Sequence, residues 1–390
     1  MRSKWPVAKL GELCATGAGG TPLKAKREYY EGGNVPWLLS GEIAQGEIRE
    51  ATTFITRSGL ENSSARLFPV NTVLVAMYGA TAGQVGILRF ESSTNQAVCG
   101  IMPGRNFISE FLFYLLLSKK DELVAQAVGN AQPNISQVKI RNLGVPIVPL
   151  IEQKRIVAIL DEVFEGIATA TANAEKNLQN ARALFETFSN GVFTKRDGDT
   201  EKKLSEVCAI TSTLVDPRQD EFLDLIHVGA GNIVSQTGEF IELKTAREER
   251  LISGKFCFDE SMVLYSKIRP YLMKVGRPDF KGLCSADMYP LAPFSTEISR
   301  DFLFHLLLSK PFTEYAIQGS ARAGMPKVNR EHLFEFRIWL PPLTKQKRIA
   351  ATLDNLHEKT QHLAAVYDRK LSALDALKKS LLHQAFAGAL

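Results

Sequence analysis

The chain has 390 residues, a net charge of +5, and 45% hydrophobic and 23% charged residues, the proportions of an ordinary globular protein. At roughly 150 residues per domain this length predicts two or three domains, and the mildly basic charge permits a polyanionic partner without requiring one. No apolar run approaches the roughly 20 residues of a membrane span, and no signal-peptide core follows the first methionine, so we expect a cytoplasmic protein with no membrane partner.

The cysteines are five in number, scattered, and never spaced Cys-x-x-Cys. A disulfide framework or a cysteine-based zinc site is therefore not expected, and a reducing compartment fits this usage.

In chain order, the first part of the sequence predicts short strands between turns. An opening segment, "GTPLKAKREYYEGGNVPWLLSGEI", begins at Gly20 and is followed by a β-rich run, "NTVLVAMYG", from Asn71. An apolar helix, "FLFYLLLSK", begins at Phe111, and its continuous hydrophobicity places it in the core. The proline-containing run "LGVPIVPL", from Leu143, disfavours helix up to the point where a long helix can start.

A long helix is predicted next, because apolar or small residues recur at heptad spacing over about five heptads. The two lines of residues are Ile156, Val163, Ala170 and Leu184, and Leu160, Ile167, Ala174, Ala181 and Phe188. Asn177 interrupts this pattern, either as a buried residue that determines register or as a solvated residue at the edge of the interface. Gly191 is a plausible end of the helix, followed by the polar linker "TKRDGDTEKK".

The second half of the sequence repeats the first in the same order. "LGELC", "SGEI", "FLFYLLLSK" and "QKRIVAILDEV" return as "LSEVC", "AGNI", "FLFHLLLSK" and "QKRIAATLDNL", 190 to 194 residues later. The second heptad series contains Ile349, Leu353, Leu356, Leu363, Tyr367, Leu374, Leu377 and Leu381, with Thr360 interrupting it and Lys370 at the place of Asn177. Four collinear matches at nearly constant spacing indicate an internal duplication of a large unit.

This pattern predicts an α+β fold with a pseudo-two-fold internal repeat. We expect two similar globular α/β domains separated by two long α-helices that pack as an antiparallel coiled coil. The expected segments are a first domain over 1–150, a helix over 151–193, a linker over 194–203, a second domain over 204–342 and a second helix over 343–390.

Catalytic signatures are not recognisable in the sequence. The one Pro-Pro pair, Pro341-Pro342, lacks the flanking residues of an amino-methyltransferase motif, and the one Gly-Lys pair, Gly254-Lys255, is not followed by Ser or Thr as in a P-loop. The six histidines show no metal-ligand spacing. We therefore expect no catalytic residue, no metal and no cofactor.

The layout and several motifs resemble the specificity subunit of type I restriction-modification enzymes. The resemblance covers essentially the whole chain and includes the opening segment, "STNQAV", "GNAQPNIS" and "GSARAGMPKVN". Its most specific parts are the doubled transitions "VPLIEQKRIVAILDEV" and "LPPLTKQKRIAATLDNL".

The resemblance implies a non-catalytic subunit that binds double-stranded DNA. Each variable domain would be a target-recognition domain for one half of a split DNA site, and the two helices would be the spacer. Two methyltransferase subunits and the endonuclease-translocase subunits are the implied partners. The residues Gln153, Lys154, Arg155, Gln346, Lys347 and Arg348 are either a docking face for the methyltransferase subunits or packing at the start of each helix.

Three groups of residues in each half have the chemistry expected at a DNA surface. In the first domain they are Lys24, Lys26, Arg27 and Tyr29, then Tyr78, Thr81 and Gln84, then Gln132 and Asn134. In the second domain they are Lys267, Arg269, Tyr271 and Lys274, then Arg322 and Lys327. A solvated charged loop is an equally good interpretation of the first group, and a role as a helix cap or turn residue is nearly as good for Asn134.

Two other classes of protein remain open on the sequence. One is a coiled-coil adaptor without a DNA role, which should lack salt-dependent DNA binding. The other is a self-contained DNA methyltransferase with an unrecognised active site, which should bind a methyl donor.

Overall fold

The computed structural model of the chain describes residues 4–125, 134–193, 199–320 and 326–390. The chain divides into two compact units, one formed by Met1–Ala174 with Arg369–Leu390 and the other by Glu175–Asp368. Part of the predicted linker, residues 194–198, lies outside the described residues.

Among its described residues, the domain in the first unit contains ten short strands and five short helices. The strands are β1 (Val7–Lys9), β2 (Ala15–Ala18), β3 (Val35–Leu38), β4 (Glu47–Ile48), β5 (Phe54–Ile55), β6 (Val73–Ala76), β7 (Val85–Leu88), β8 (Ser93–Thr94), β9 (Val98–Met102) and β10 (Gly144–Pro146). The helices are α1 (Leu10–Leu13), α2 (Arg57–Glu61), α3 (Ser109–Ser118), α4 (Lys120–Ala125) and α5 (Gln137–Arg141). The first long helix, α6 (Leu150–Val192), follows.

The main sheet of this domain has the strand order β2-β9-β6-β7-β4. Its pairs are antiparallel except for β4 and β7, and Val75 lies opposite Cys99. All four residues of β6 and of β7 are buried, which explains why these strands read as continuous apolar runs instead of alternating ones. A smaller sheet, β5-β3-β8, and the antiparallel pair β1-β10 complete the domain.

The part of the second unit's domain that the structure describes contains eleven strands and three short helices. The strands are β11 (Thr200–Lys203), β12 (Cys208–Ala209), β13 (Leu214–Val215), β14 (Ile226–Val228), β15 (Lys244–Thr245), β16 (Lys255–Phe258), β17 (Val263–Ser266), β18 (Val275–Gly276), β19 (Gly282–Ser285), β20 (Met288–Pro293) and β21 (Arg337–Leu340). The helices are α7 (Arg300–Leu307), α8 (Lys310–Gln318) and α9 (Arg330–Phe334), before the second long helix, α10 (Leu343–Ala387).

Much of the strand pairing repeats the first domain, although a five-stranded sheet, β13-β16-β19-β14-β15, stands in place of β5-β3-β8, and among the described residues β18 lacks a partner equivalent to β4. The sheet β12-β20-β17-β18 has the order of β2-β9-β6-β7, and the pair β11-β21 corresponds to β1-β10. The parallel pairing of β14 with β19 corresponds to that of β3 with β8. The duplication predicted from four sequence matches therefore extends to the order and direction of the strands.

Each unit contains segments of both long helices. In the first unit, Ile156 and Leu160 near the beginning of α6 share a core with Leu382 and Phe386 near the end of α10. In the second unit, Phe185 and Val192 near the end of α6 share a core with Leu353 near the beginning of α10. Beginning packs with end in both units, as in an antiparallel helix pair, and the predicted fold class is confirmed.

The predicted heptad positions of α6 are buried or partly buried as far as Ala181, apart from the polar Asn177, and the prediction is wrong beyond Ala181. Leu184 is 53% exposed and Phe188 38% exposed, whereas Ser189 and Val192 are buried. Asn177 and Lys370 are both exposed, so they lie at the edge of the helix pairing and not in a buried seam. In α10, Leu363 and Leu377 are likewise exposed.

No helix among the described residues is long and apolar enough to cross a membrane. All five cysteines are free thiols, and four of them are buried.

Candidate nucleic-acid interface

The loop that follows β6 meets the segment that precedes α5. Ile135 donates its backbone N–H to the carbonyl of Met77 at 2.8 Å, and Tyr78 forms an isolated β-bridge with Asn134. A short 3-10 turn over Gly79–Thr81 follows, and Gly83 has a φ of +80° where a Cβ would lie 2.9 Å from Val124. The tight loop holds Tyr78 and Asn134 next to each other at the surface.

The second domain builds the same junction from different residues. Val328 donates its backbone N–H to the carbonyl of Lys267 at 2.8 Å, and Ile268 forms a β-bridge with Lys327. A 3-10 turn over Pro270–Leu272 follows. Arg269 has a φ of +49°, in the left-handed region, and its N–H donates to the carbonyl of Pro326 at 2.9 Å. Two groups that the sequence suggested separately are thus one surface in each domain.

In the first domain this surface carries uncharged polar and aromatic side chains. Tyr78 is 39% exposed and Asn134 is exposed, whereas Thr81 and Gln84 are half-buried. Asn134 pairs through its backbone with Tyr78 and is not the residue that caps α5, because the side chain of Ser136 accepts the N–H of Lys139 there. The helix-capping interpretation of Asn134 is therefore wrong.

In the second domain the same surface is basic. Arg269 is exposed, and Tyr271 is 52% exposed. The amines of Lys267 and Lys327 lie 3.7 and 3.3 Å from the same carboxylate oxygen of Asp287. Because an exposed ion pair contributes little in water, a phosphate can compete for Lys327. The amine of Lys267 is held more firmly, since it also donates to the carbonyl of Ala286 at 2.6 Å.

Lys274, like Lys267, donates its amine to a backbone carbonyl. It is half-buried and donates its amine to the carbonyl of Ala230 at 2.5 Å. This hydrogen bond ties the end of the loop to the segment after β14. Lys274 therefore supports the loop, and reaching DNA would require it to leave this carbonyl.

The basic cluster of the opening segment lies at and just before the 3-10 turn over Arg27–Tyr29. Lys24, Lys26 and Arg27 are exposed, but Tyr29 is only 6% exposed, so its ring is not available as a stacking surface. Its carbonyl accepts the N–H of Thr56 at the start of α2. Its hydroxyl accepts the amine of Lys26 at 3.0 Å, which raises the pKa of Lys26 above its ordinary value.

Two predicted contacts, Gln132 and Arg322, lie outside the described residues. Within the ranges that the structure describes, no group of three or more His, Cys, Asp or Glu side chains could hold a metal ion.

The start of each long helix resolves into two kinds of residue. Gln153 and Gln346 are fully buried and packed against their own domains, so they are not part of an exposed docking face. Lys154, Arg155, Lys347 and Arg348 are exposed. The sequence reasoning missed Asp161 and Asp354, which hold the domains on these helices; the signal was their identical place in the two Gln-Lys-Arg-Ile repeats.

One protein family matches the sequence in both halves of the chain. A family described as "Type I restriction modification DNA specificity domain" matches residues 2–179 and again residues 198–366. The EcoDI specificity subunit of Escherichia coli is 28% identical in an alignment that covers 72% of this chain and 70% of that protein. The MjaVIII specificity subunit of Methanocaldococcus jannaschii is 22% identical and covers 98% of this chain and 92% of its own.

Solved structures share the fold. One is a chain from a structural study of complex assembly and conformational transition of the type I R-M system. It has a TM-score of 0.75 and 20% identity to this chain, and the match covers 99% of this chain and 98% of that one. The crystal structure of the HsdS subunit from Thermoanaerobacter tengcongensis has a TM-score of 0.61 and 19% identity, covering 99% and 97%.

Proposed function

The chain belongs to the family of type I restriction-modification DNA specificity domains, whose members are non-catalytic DNA-recognition subunits, and we propose that its two domains each read one half of a split DNA target. The two halves of the target would then be different sequences. We assign residues 1–150 and 204–342 to these recognition domains, with 194–203 as the linker between the copies.

The observation that carries this proposal is the duplicated loop surface with unlike side chains. Tyr78 and Asn134 in the first domain correspond to Ile268 and Lys327 in the second, because both pairs form the same β-bridge. Amide side chains can read adenine, whereas arginine can read guanine through two hydrogen bonds. Equivalent places with different chemistry support recognition of two different half-sites.

The long helices supply the distance between the half-sites in this proposal. Residues 151–193 and 343–390 would form a stiff spacer, which makes binding of the second domain an intramolecular event once the first has bound. A stiff spacer also determines which face of the duplex each domain meets, since successive turns of B-DNA lie about 34–36 Å apart. The spacer would therefore set a fixed gap between the half-sites.

The partners in this proposal are two methyltransferase subunits and the endonuclease-translocase subunits. The exposed helix residues near each domain, such as Lys154 and Lys347, are available for docking the methyltransferase subunits. The chemistry would come from these partners.

The experiment that tests this function is co-expression of the chain with its methyltransferase subunit in a host without DNA methylation. Methylated adenines are then mapped across the genome. The expected result is one asymmetric motif in two parts with a constant gap. Two results together would instead indicate an adaptor. The assembled complex would bind methyl donor but methylate no DNA, and the chain would show no salt-dependent DNA binding.

A further inference from the structure

Each recognition domain is held on its long helix by one buried glutamine. In the first unit, the side-chain oxygen of Gln153 accepts the N–H of Ile108, at the start of α3, at 3.0 Å. Its side-chain nitrogen donates to the carbonyls of Asn106 and Val148 at 2.7 and 2.8 Å. One amide thus connects the loop before α3, the segment before α6 and α6 itself.

The second unit repeats this arrangement bond for bond. The side-chain oxygen of Gln346 accepts the N–H of Ser299, at the start of α7, at 3.0 Å. Its nitrogen donates to the carbonyls of Glu297 and Pro341, both at 2.9 Å. Gln153 is fully buried and Gln346 is 1% exposed.

A second contact joins the same helices eight residues further along, which is about 12 Å at 1.5 Å per residue. In the first unit, the hydroxyl of Tyr114 on α3 donates to Asp161 of α6 at 2.6 Å. In the second unit, His305 on α7 lies 2.9 Å from the carboxylate of Asp354 on α10 through its Nε2. Tyr114 and His305 occupy the single position at which the two nonamers "FLFYLLLSK" and "FLFHLLLSK" differ.

The repeated nonamer is therefore the element by which each domain is fastened to the spacer. The one side chain that changed kept its ability to donate a hydrogen bond to the same aspartate position. Burial of Phe111 or Phe302 stabilises the contact but is non-directional, so apolar packing alone would allow sliding and rotation. Hydrogen bonds at two points along a helix prevent both motions because they depend on distance and angle.

The second unit reinforces its outer contact with charge. Arg277 donates two hydrogen bonds to Asp354, at 3.0 and 3.1 Å, and its guanidinium lies 4.7 Å above the ring of Phe304. Arg277 also pairs with Asp301 of α7 at 3.1 Å.

We propose that Tyr114 with Asp161 and His305 with Asp354, together with the two glutamines, are positioning residues that lock each recognition domain at one angle on its spacer helix. The gap between the half-sites is then set by these locks as well as by helix length. This inference rests on the proposed function, since it concerns how two half-sites are read at one separation.

The test uses the assembled complex with the methyltransferase subunit and the target found by methylation mapping. Substrates carry the native half-sites with the native gap, or with a gap one base pair shorter or longer. The variant is Tyr114→Phe with His305→Phe, which removes both donors and keeps aromatic rings in place. The preference for the native gap should fall about tenfold, the effect of roughly one lost hydrogen bond, while the preference for each half-site sequence is unchanged.

Two matched variants complete the design. His305→Tyr gives the second unit the donor of the first and should keep the native gap preference. Tyr315→Phe removes a tyrosine hydroxyl that donates within the second domain, to the carbonyl of His332 at 2.8 Å, and should leave gap preference as in the wild type.

Failure of the positioning role and failure of the fixed-gap function give different results. A folded double variant that loses methylation equally at every gap would show that these residues are only structural and would overturn the lock. If the double variant does not assemble, the gap preference of the single variant Tyr114→Phe is measured instead. A loss of methylation that is equal at every gap would again overturn the proposal. A wild-type complex that methylates all three gaps equally would overturn the fixed-gap function and the lock together.

Discussion

At the scale of single residues, Gln153 has to satisfy an amide oxygen and an amide nitrogen inside the protein. It does so with three hydrogen bonds to backbone groups of its own unit. A buried polar group that loses its partners carries the full cost of desolvation, so such a residue is far more sensitive to change than its exposed neighbours.

Replacing Gln153 with alanine should lower the free energy of unfolding of the first unit by about 2–4 kcal/mol, because three backbone groups, one of them the buried carbonyl of Val148, lose their partner. The matched control is Lys154→Ala, since Lys154 is exposed and adjacent in sequence. Denaturant unfolding followed by fluorescence measures both. Equal effects of the two substitutions would contradict the role assigned to the glutamine.

Asp354 predicts a pH dependence of stability. Burial alone would raise its pKa, but hydrogen bonds from His305 and Arg277 hold it well below the ordinary value of 3.8. The unfolded chain therefore binds a proton at this carboxyl at a higher pH than the folded chain does. The stabilising contribution is complete above the ordinary value and is lost as the pH falls below it toward the depressed value.

The variant Asp354→Asn should consequently lower Tm by a nearly constant amount above about pH 5, and the difference from the wild type should shrink as the pH falls below about 4. Thermal unfolding at a series of pH values measures this. A difference in Tm that stays constant over the whole range would show that the charge of Asp354 does not stabilise the fold.

At the scale of elements, the long helices show why a heptad pattern alone is an incomplete guide. Along α6 the buried positions Ala174, Ala181 and Ser189 are spaced by seven and then by eight residues, so the strict heptad spacing ends after Ala181. The sequence pattern predicted Leu184 and Phe188 on the inner face, but in the structure both are exposed. The buried position beyond Ala181 is Ser189, one residue after the predicted Phe188.

The loop surfaces of the two domains predict that a mutation in one domain weakens recognition of only one half-site. Arg269→Ala should weaken discrimination at one half of the target by roughly 10- to 100-fold and leave the other half unchanged. Tyr78→Ala, at the equivalent surface of the first domain, should do the reverse. Methylation of targets with single base changes in either half measures both, and a variant that affects both halves equally would contradict independent reading.

At the scale of the whole molecule, each unit depends on residues from distant parts of the sequence. The end of α10 completes the core of the first unit, where the ring of Phe386 lies 5.2 Å from that of Phe111 in an edge-to-face arrangement. The first domain therefore cannot complete its core until the last segment of the chain has been made.

Phe386→Ala should destabilise the first unit by about 3–5 kcal/mol, the usual effect of emptying a buried phenylalanine site. Hydrogen exchange should increase in α3, although α3 lies far from residue 386 in the sequence. His383→Ala, at an exposed position of the same helix, is the control. Faster exchange confined to the end of α10 would show that the two segments are not coupled.

The duplication, the fold class and the family could all be predicted from the sequence alone, because they depend on patterns that recur along the chain. Helical periodicity, apolar runs and proline-containing transitions are local, and each appears twice at nearly the same spacing. The resemblance to specificity subunits rested on the same repeated motifs.

Which side chains share a surface can be seen only in the folded arrangement of the chain. Tyr78 meets Asn134, Tyr29 is buried beside Thr56, and Tyr114 reaches Asp161 across a long separation in sequence. Such contacts follow from how sheets and helices close on one another, and no local pattern records them. The burial of Gln153 is of this kind, because a glutamine is ordinarily exposed unless the fold brings three backbone partners to it.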